Sequence, residues 1–143
     1  MGALAANDRR PATLPDRPTD RAALGREAER LAAVHLEAAG ANILLRNYRR
    51  RRGELDLVAL HRGVLLIVEV RLRSNDRYGG GPASVDARKQ RRLVHAARQL
   101  LQQRPDLARH PVRFDVIALS RQGAAGESPW KIDWLQHAFD AGR

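Results

Sequence analysis

The chain has 143 residues and a mass of 16.0 kDa, one domain's worth of sequence with no room for a second domain or a repeat array. It has no cysteine, which excludes disulfides, thiolate nucleophiles and cysteine-ligated zinc. Its 26 Lys and Arg residues face 16 Asp and Glu, a net charge of +10 to which residues 1–20 contribute nothing. The excess therefore belongs to the folded part, and a domain this basic meets a polyanion, nucleic acid first. The longest apolar run, Val64 to Val68, is too short to span a bilayer, and residues 1–20 lack the apolar core of a secretory signal. A cytoplasmic protein that does not enter membranes is the expectation.

Residues 1–19 combine Pro11, Pro15 and Pro18 with Ala, Asp and Arg, show no apolar period, and read as a disordered leader. Residues 20–143 form the single domain. A helix opens at Thr19 or Asp20, both good N-caps, and closes at Gly40. Its apolar stripe is Leu24, Ala28, Leu31, Ala32, Leu36 and Ala39. A strand from Ile43 then runs out into the basic turn Arg46–Arg52. Leu55–Leu60 and Val64–Leu72 form an antiparallel hairpin across His61-Arg62-Gly63. Tyr78-Gly79-Gly80-Gly81-Pro82 reads as a loop.

Ser84 caps a second helix reaching Gln103, with Leu93, Ala97, Leu100 and Leu101 inward and Pro105 just beyond its end. Val112–Leu119 is a fourth strand. Trp130–Phe139 supplies a short strand and a terminal helical turn. The order α-β-β-β-α-β-β predicts an α/β fold, a mixed sheet flanked by helices.

Most acidic residues lie on polar faces or in loops, but Asp56 and Glu69 interrupt the apolar hairpin strands. A carboxylate there is costly unless it is paired or binds a cation. Thirteen positions separate the two, and the hairpin folds them towards each other. Arg71 shares a sheet face with Glu69, since side chains alternate along a strand. Two converging carboxylates beside a cation suit Mg²⁺-dependent phosphodiester hydrolysis: the metal takes hard oxygen ligands, and the cation stabilises charge on the phosphoryl group. The same spacing also suits a cross-strand salt bridge from Arg71 to either carboxylate, and both readings stay open.

Gly53-Glu54-Leu55-Asp56-Leu57-Val58, followed by Val68-Glu69-Val70-Arg71-Leu72-Arg73, resembles the signature of the YraN-type family of small bacterial proteins. Gly25 to Ala32, Arg46-Asn47-Tyr48-Arg49, Tyr78-Gly79, Lys89, Arg113-Phe114-Asp115 and Ala138-Phe139 match its other landmarks in order. The resemblance implies a restriction-endonuclease-like, PD-(D/E)XK fold similar to archaeal Holliday junction resolvases. It implies Asp56 and Glu69 as metal ligands for Mg²⁺ or Mn²⁺, with Glu29 of the first helix completing the site. The family's lysine after Glu-Val is Arg71 here, and a glycine of its first helix is Ala28. Arginine cannot accept a proton, nor does its planar fork replace a compact ammonium. Lys89, one of two lysines, would supply that ammonium if the second helix packs over the site.

Arg46, Tyr48, Arg49, Arg50, Arg51 and Arg52 adjoin the site and suit phosphate contacts, which carry affinity without sequence readout. Arg73 and the helix residues Arg88 and Arg92 extend the basic surface. Six aromatic residues are too few for a single-strand stacking platform, which favours duplex or branched DNA. The five histidines show no metal-ligand spacing. The expectation is a DNA-binding protein with metal-dependent endonuclease activity, a homodimer being left open. Two alternatives stand: a member of the fold that binds nucleic acid without cutting, and an RNA- or ribosome-associated basic module.

Overall fold

A computed structural model describes residues 18–73, 85–122 and 129–141. Residues 1–17 of the expected leader, the glycine-rich loop and Ser84 lie outside the described residues, whereas Pro18 and Thr19 are helical, so the first helix opens before the expected caps Thr19 and Asp20. Helix α1 (Pro18–Ala38) begins with proline, which suits a first helical turn because its missing N–H would have no partner there. It ends in a turn where the Ala41 N–H donates to the Leu36 carbonyl at 3.0 Å. Its buried face is Ala28, Ala32, Ala33 and Leu36. Three alanines let the helix axis lie close to the sheet. Ala39, expected on this stripe, is exposed instead, because the helix has ended before it.

Five strands follow in spatial order β1-β2-β3-β4-β5: β1 (Asn42–Arg50), β2 (Gly53–His61), β3 (Val64–Arg73), β4 (Val112–Arg121) and β5 (Trp130–Phe139). The β1, β2 and β3 pairings are antiparallel, β3 and β4 are parallel, and β4 and β5 are antiparallel. The parallel step requires a crossover, supplied by helix α2 (Ala87–Gln103). The fold is therefore α/β, with the mixed sheet and α-β-β-β-α-β-β order expected of the restriction-endonuclease-like class. Of the described helices, none is long and apolar enough to cross a membrane.

The two helices cover opposite faces of the sheet. Leu93, Ala96, Ala97 and Leu100 of α2 pack with Leu55, Val58, Leu65, Ile67, Phe114 and Val116. Ala28, Ala32, Ala33 and Leu36 of α1 pack with Leu57, Ala59, Leu66, Val68, Ile117 and Leu119. Alternation along each strand therefore feeds two cores rather than one core and one wet face.

Three local expectations are corrected. The cap of α2 is Asp86, whose Oδ1 accepts the Lys89 N–H at 2.8 Å, rather than Ser84; the carboxylate sits two residues nearer the apolar period. Trp130–Phe139 is one strand with no terminal helical turn, because β4 offers it a full-length partner from Phe114 to Arg121. Arg46, Arg49 and Arg50 lie within β1, and only Arg51 and Arg52 form the turn. Pairing with β2 down to Arg50↔Gly53 holds them extended.

Gly53, at the start of β2, positions α2. A Cβ there would lie 2.5 Å from the Arg92 carbonyl oxygen, a backbone atom that cannot swing away. Gly53→Ala should cost about 1–3 kcal/mol by forcing α2 off the sheet. Thermal unfolding checks this, and an unchanged midpoint would contradict the close approach.

Candidate functional site

The hairpin ladder of β2 and β3 runs from His61↔Val64 to Leu57↔Val68 and stops. The next register position would set Asp56 opposite Glu69. Instead the strands part, and Asp56 Oδ2 accepts the Val70 N–H at 2.9 Å, taking a place that a backbone carbonyl would fill. The β2 alternation breaks at the same point: Leu55 packs on the α2 side and Leu57, two residues on, packs on the α1 side. Opposite, on β1, Asn47 has a positive φ of 51°. The irregularity turns Asp56 towards Glu69.

Both carboxylates are buried, with 8% of Asp56 and 6% of Glu69 exposed. The Lys89 ammonium of α2 reaches Glu69 Oε2 at 2.9 Å, while the lysine side chain stays half exposed. An ion pair to Glu69 is therefore formed from the helix, by Lys89. Burial pushes the Asp56 carboxyl up to about 8, helped by the charge of Glu69, a side-chain hydrogen bond with Glu69 and the charge of Glu29; the Val70 N–H opposes the shift. Two buried carboxylates this close cannot both ionise cheaply.

Asp115 supplies the contrast. It lies in β4 with 1% exposure, a third carboxylate within an apolar strand, whose local sequence marks it only as part of the Arg113-Phe114-Asp115 landmark. Arg113 donates to it through Nε and Nη2, both at 2.8 Å. Trp134 Nε1 donates at 2.9 Å and the His137 N–H at 3.0 Å. Four donors saturate this carboxylate, and the bidentate bond raises the Arg113 pKa. Asp115 is structural; Asp56 accepts the Val70 N–H and Glu69 meets the Lys89 ammonium.

The remaining expected residues divide. Glu29, half-buried on α1, acts on Asp56 through its charge and lines a cleft of about 260 Å³ with Arg26, Asn47, Arg49 and Glu54. Among the described residues no group of three or more His, Cys, Asp or Glu side chains gathers as a metal cage. Two carboxylates nevertheless suit Mg²⁺, which is commonly held by one or two carboxylates and fills its other positions with water and phosphate. Arg71 is half-buried on β3, two residues after Glu69, and Arg73 ends the strand.

Arg50 and Tyr48 are committed elsewhere. The Arg50 guanidinium lies 4.2 Å from the Tyr48 ring centroid, and both side chains donate to Gln103 Oε1, at 2.6 and 2.9 Å respectively. Gln103, at the end of α2, thus pins β1 to α2. Arg49 pairs with Glu54 at 3.4 Å. Arg46, Arg51 and Arg52 on the β1 side, and Arg88 and Arg92 on α2, are exposed.

Comparison with known sequences places this arrangement in a family. The family model described as "Uncharacterised protein family UPF0102" matches residues 28–119, which hold Asp56, Glu69, Arg71 and Lys89. A UPF0102 protein of Ectopseudomonas mendocina (strain ymp) is 48% identical over 118 residues, covering 82% of this chain and 95% of the relative. One from Pseudomonas aeruginosa (strain LESB58) is 46% identical over 117 residues, 82% of this chain and 92% of its own length. One from Stutzerimonas stutzeri (strain A1501) is 44% identical, covering 82% and 94%. The YraN-type motifs and these matches agree, and the chain belongs to the uncharacterised protein family UPF0102.

Proposed function

We propose that this protein binds duplex or branched DNA and hydrolyses its phosphodiester bonds with Mg²⁺ or Mn²⁺. The observation that carries the reading is the meeting of buried Asp56 and Glu69 where the hairpin opens, with the Lys89 ammonium 2.9 Å from Glu69. Asp56 and Glu69 would hold the cation. When bound, it supplies Lewis acidity at the phosphoryl group and eases deprotonation of the attacking water. Lys89, half exposed, sits where its ammonium can donate to a phosphate oxygen, and Arg71 adds fixed positive charge on the same strand. The exposed arginines hold the backbone of the substrate without reading its bases.

Arg71, standing where the family motif has lysine, favours a second reading, a DNA binder that does not cut. A panel of duplex, flapped and four-way DNA incubated with Mg²⁺ or Mn²⁺ separates the two. Metal-dependent cleavage that fails with Glu69→Ala supports the nuclease. Binding without cleavage of any substrate supports the inert binder.

Both readings require electrostatic binding. Arg51 and Arg52 are the exposed turn arginines, whereas Arg50 is engaged with Tyr48 and Gln103. The double change Arg51→Ala, Arg52→Ala should flatten the slope of log affinity against log salt by about 2, at roughly 0.9 per phosphate contact. Filter binding across a salt series measures it. Affinity that ignores ionic strength would remove DNA as the partner.

A further inference from the structure

A five-stranded sheet has two edges, and here they differ. The β1 edge is interrupted by a register break between Ile43 and Leu45, by the positive φ of Asn47, and by Arg46, Arg49 and Arg50. Bulges and charge of this kind keep an edge from pairing with another chain. The β5 edge runs in regular register from Trp130 to Leu135 against Arg121 to Val116, with its break only beyond that stretch.

Along the regular stretch the sequence is Trp130-Lys131-Ile132-Asp133-Trp134. Read backwards it keeps its tryptophans and exchanges lysine for aspartate. An antiparallel pairing of two such strands about Ile132 sets Lys131 of each copy opposite Asp133 of the other, twice. The backbone parity agrees. The Gln122 N–H donates to the Pro129 carbonyl at 2.8 Å, so that position is a bonded pair of the β4–β5 ladder. Opposed residues in an antiparallel ladder alternate between bonding each other and turning away. Lys131 and Asp133 therefore bond towards β4, while Ile132 and Trp134 turn N–H and C=O to the outer edge. Ile132 against its own copy is then a bonded pair on a two-fold axis.

We propose that β5 is a homodimer interface in which two copies pair antiparallel about Ile132, joining their sheets into one of ten strands. The occupant is a second copy because charge complementarity and bonding parity are both self-directed at this edge. Trp130, Ile132 and Trp134 pack on the α1 side of the sheet, so both copies present that face to the same side. Lys131 and Asp133 lie on the opposite face, where cross-strand opposite charges stabilise and like charges oppose pairing. An isologous contact of this kind closes on itself and stops at two copies. The proposal is independent of the nuclease reading.

Sedimentation of the full chain tests it. The expected species at about 100 μM is a dimer of 16.0 kDa chains. Lys131→Glu sets carboxylates against each other across the axis, and Asp133→Lys does the same with ammonium groups. Each variant alone should be monomeric, weakened at least tenfold, and an equimolar mixture of the two should recover a heterodimer. A parent that stays monomeric, or a dimer indifferent to both changes, overturns the proposal. Should either variant fail to fold, Ile132→Cys decides. Opposed Cα atoms of a bonded pair lie about 5.5 Å apart, within disulfide reach. The parent has no cysteine, so a covalent dimer formed on oxidation reports this contact, and its failure to form rejects it.

Discussion

Asp56→Asn is expected to abolish metal-dependent cleavage and, in the same variant, to make the metal-free protein more stable at pH 8. The two effects have one cause. The Asp56 carboxyl is held up at about 8, against an ordinary value of 3.8, by burial and by Glu69. The folded protein keeps this proton over a pH range in which the unfolded chain has lost it. Stability must therefore fall as pH rises from about 4 towards 8, and level off above. The loss is on the order of a few kcal/mol, since each pKa unit corresponds to about 1.4 kcal/mol. An amide carries no charge to bury. Its oxygen can still accept the Val70 N–H, and its nitrogen can donate to Glu69. The variant should lose the pH slope together with the cation. Cleavage should drop more than about a hundredfold, since even groups that merely orient a metal ligand commonly cost 10- to 100-fold. Urea unfolding between pH 5 and 9, with and without Mg²⁺, provides the measurement. Mg²⁺ should stabilise the parent at pH 8 and leave the variant unmoved. A variant less stable than the parent at pH 8 would make Asp56 a structural carboxylate like Asp115.

The distinction between those two residues marks how far the sequence could be read. Asp56, Glu69 and Asp115 all interrupt apolar strands, and composition treats them alike. What marks Asp115 is its set of donors: four hydrogen bonds converge on it from Arg113, Trp134 and His137. Two of those donors come from β5, nearly twenty positions or more along the chain, so the spacing of local motifs does not reveal them. The pairing of Asp56 with Glu69 was readable because a two-residue hairpin turn transmits register directly. Arg62 and Gly63, both at positive φ, set that turn and place the two carboxylates at one level.

Element order and type were readable for similar reasons. The helical period of Leu93, Ala97 and Leu100 and the apolar runs of β2, β3 and β4 are strong local signals. The end of the chain was not. Trp130–Phe139 mixes Lys131, Asp133, Gln136 and His137 with apolar residues, and its clean pairing with β4 stops at Leu135. Such an edge strand is specified by its neighbour more than by its own pattern. The basic run from Arg46 to Arg52 suggests phosphate contact for Tyr48, yet its ring lies beneath Arg50 and its hydroxyl bonds Gln103. A contact spanning 55 positions is set by how α2 crosses the sheet, which no motif encodes.

That crossing also decides which cation serves the carboxylates. If a strand ammonium were required, Arg71→Lys would raise cleavage by one to two orders of magnitude. The structure instead presents an ammonium from α2: Lys89, in the first turn of the helix, reaches Glu69 at 2.9 Å. Asp86 caps that turn through the Lys89 N–H itself, and Gly53 allows α2 to lie close enough for the reach. Lys89→Ala is accordingly expected to lower cleavage by about ten- to a hundredfold. The range corresponds to a charged hydrogen bond of about 1.5–3 kcal/mol at roughly 1.4 kcal/mol per tenfold. Arg71→Lys should change it less than about threefold, because the fixed charge at that position is preserved. Lys89→Arg tests whether position or charge matters: a planar guanidinium should restore DNA affinity but only part of the rate. The readout is single-turnover cleavage beside binding, so that lost chemistry is not mistaken for lost affinity. Full activity in Lys89→Ala with a large gain in Arg71→Lys would return the role to the strand. Equal loss of binding and rate in both would reduce Lys89 to one more base on a basic helix.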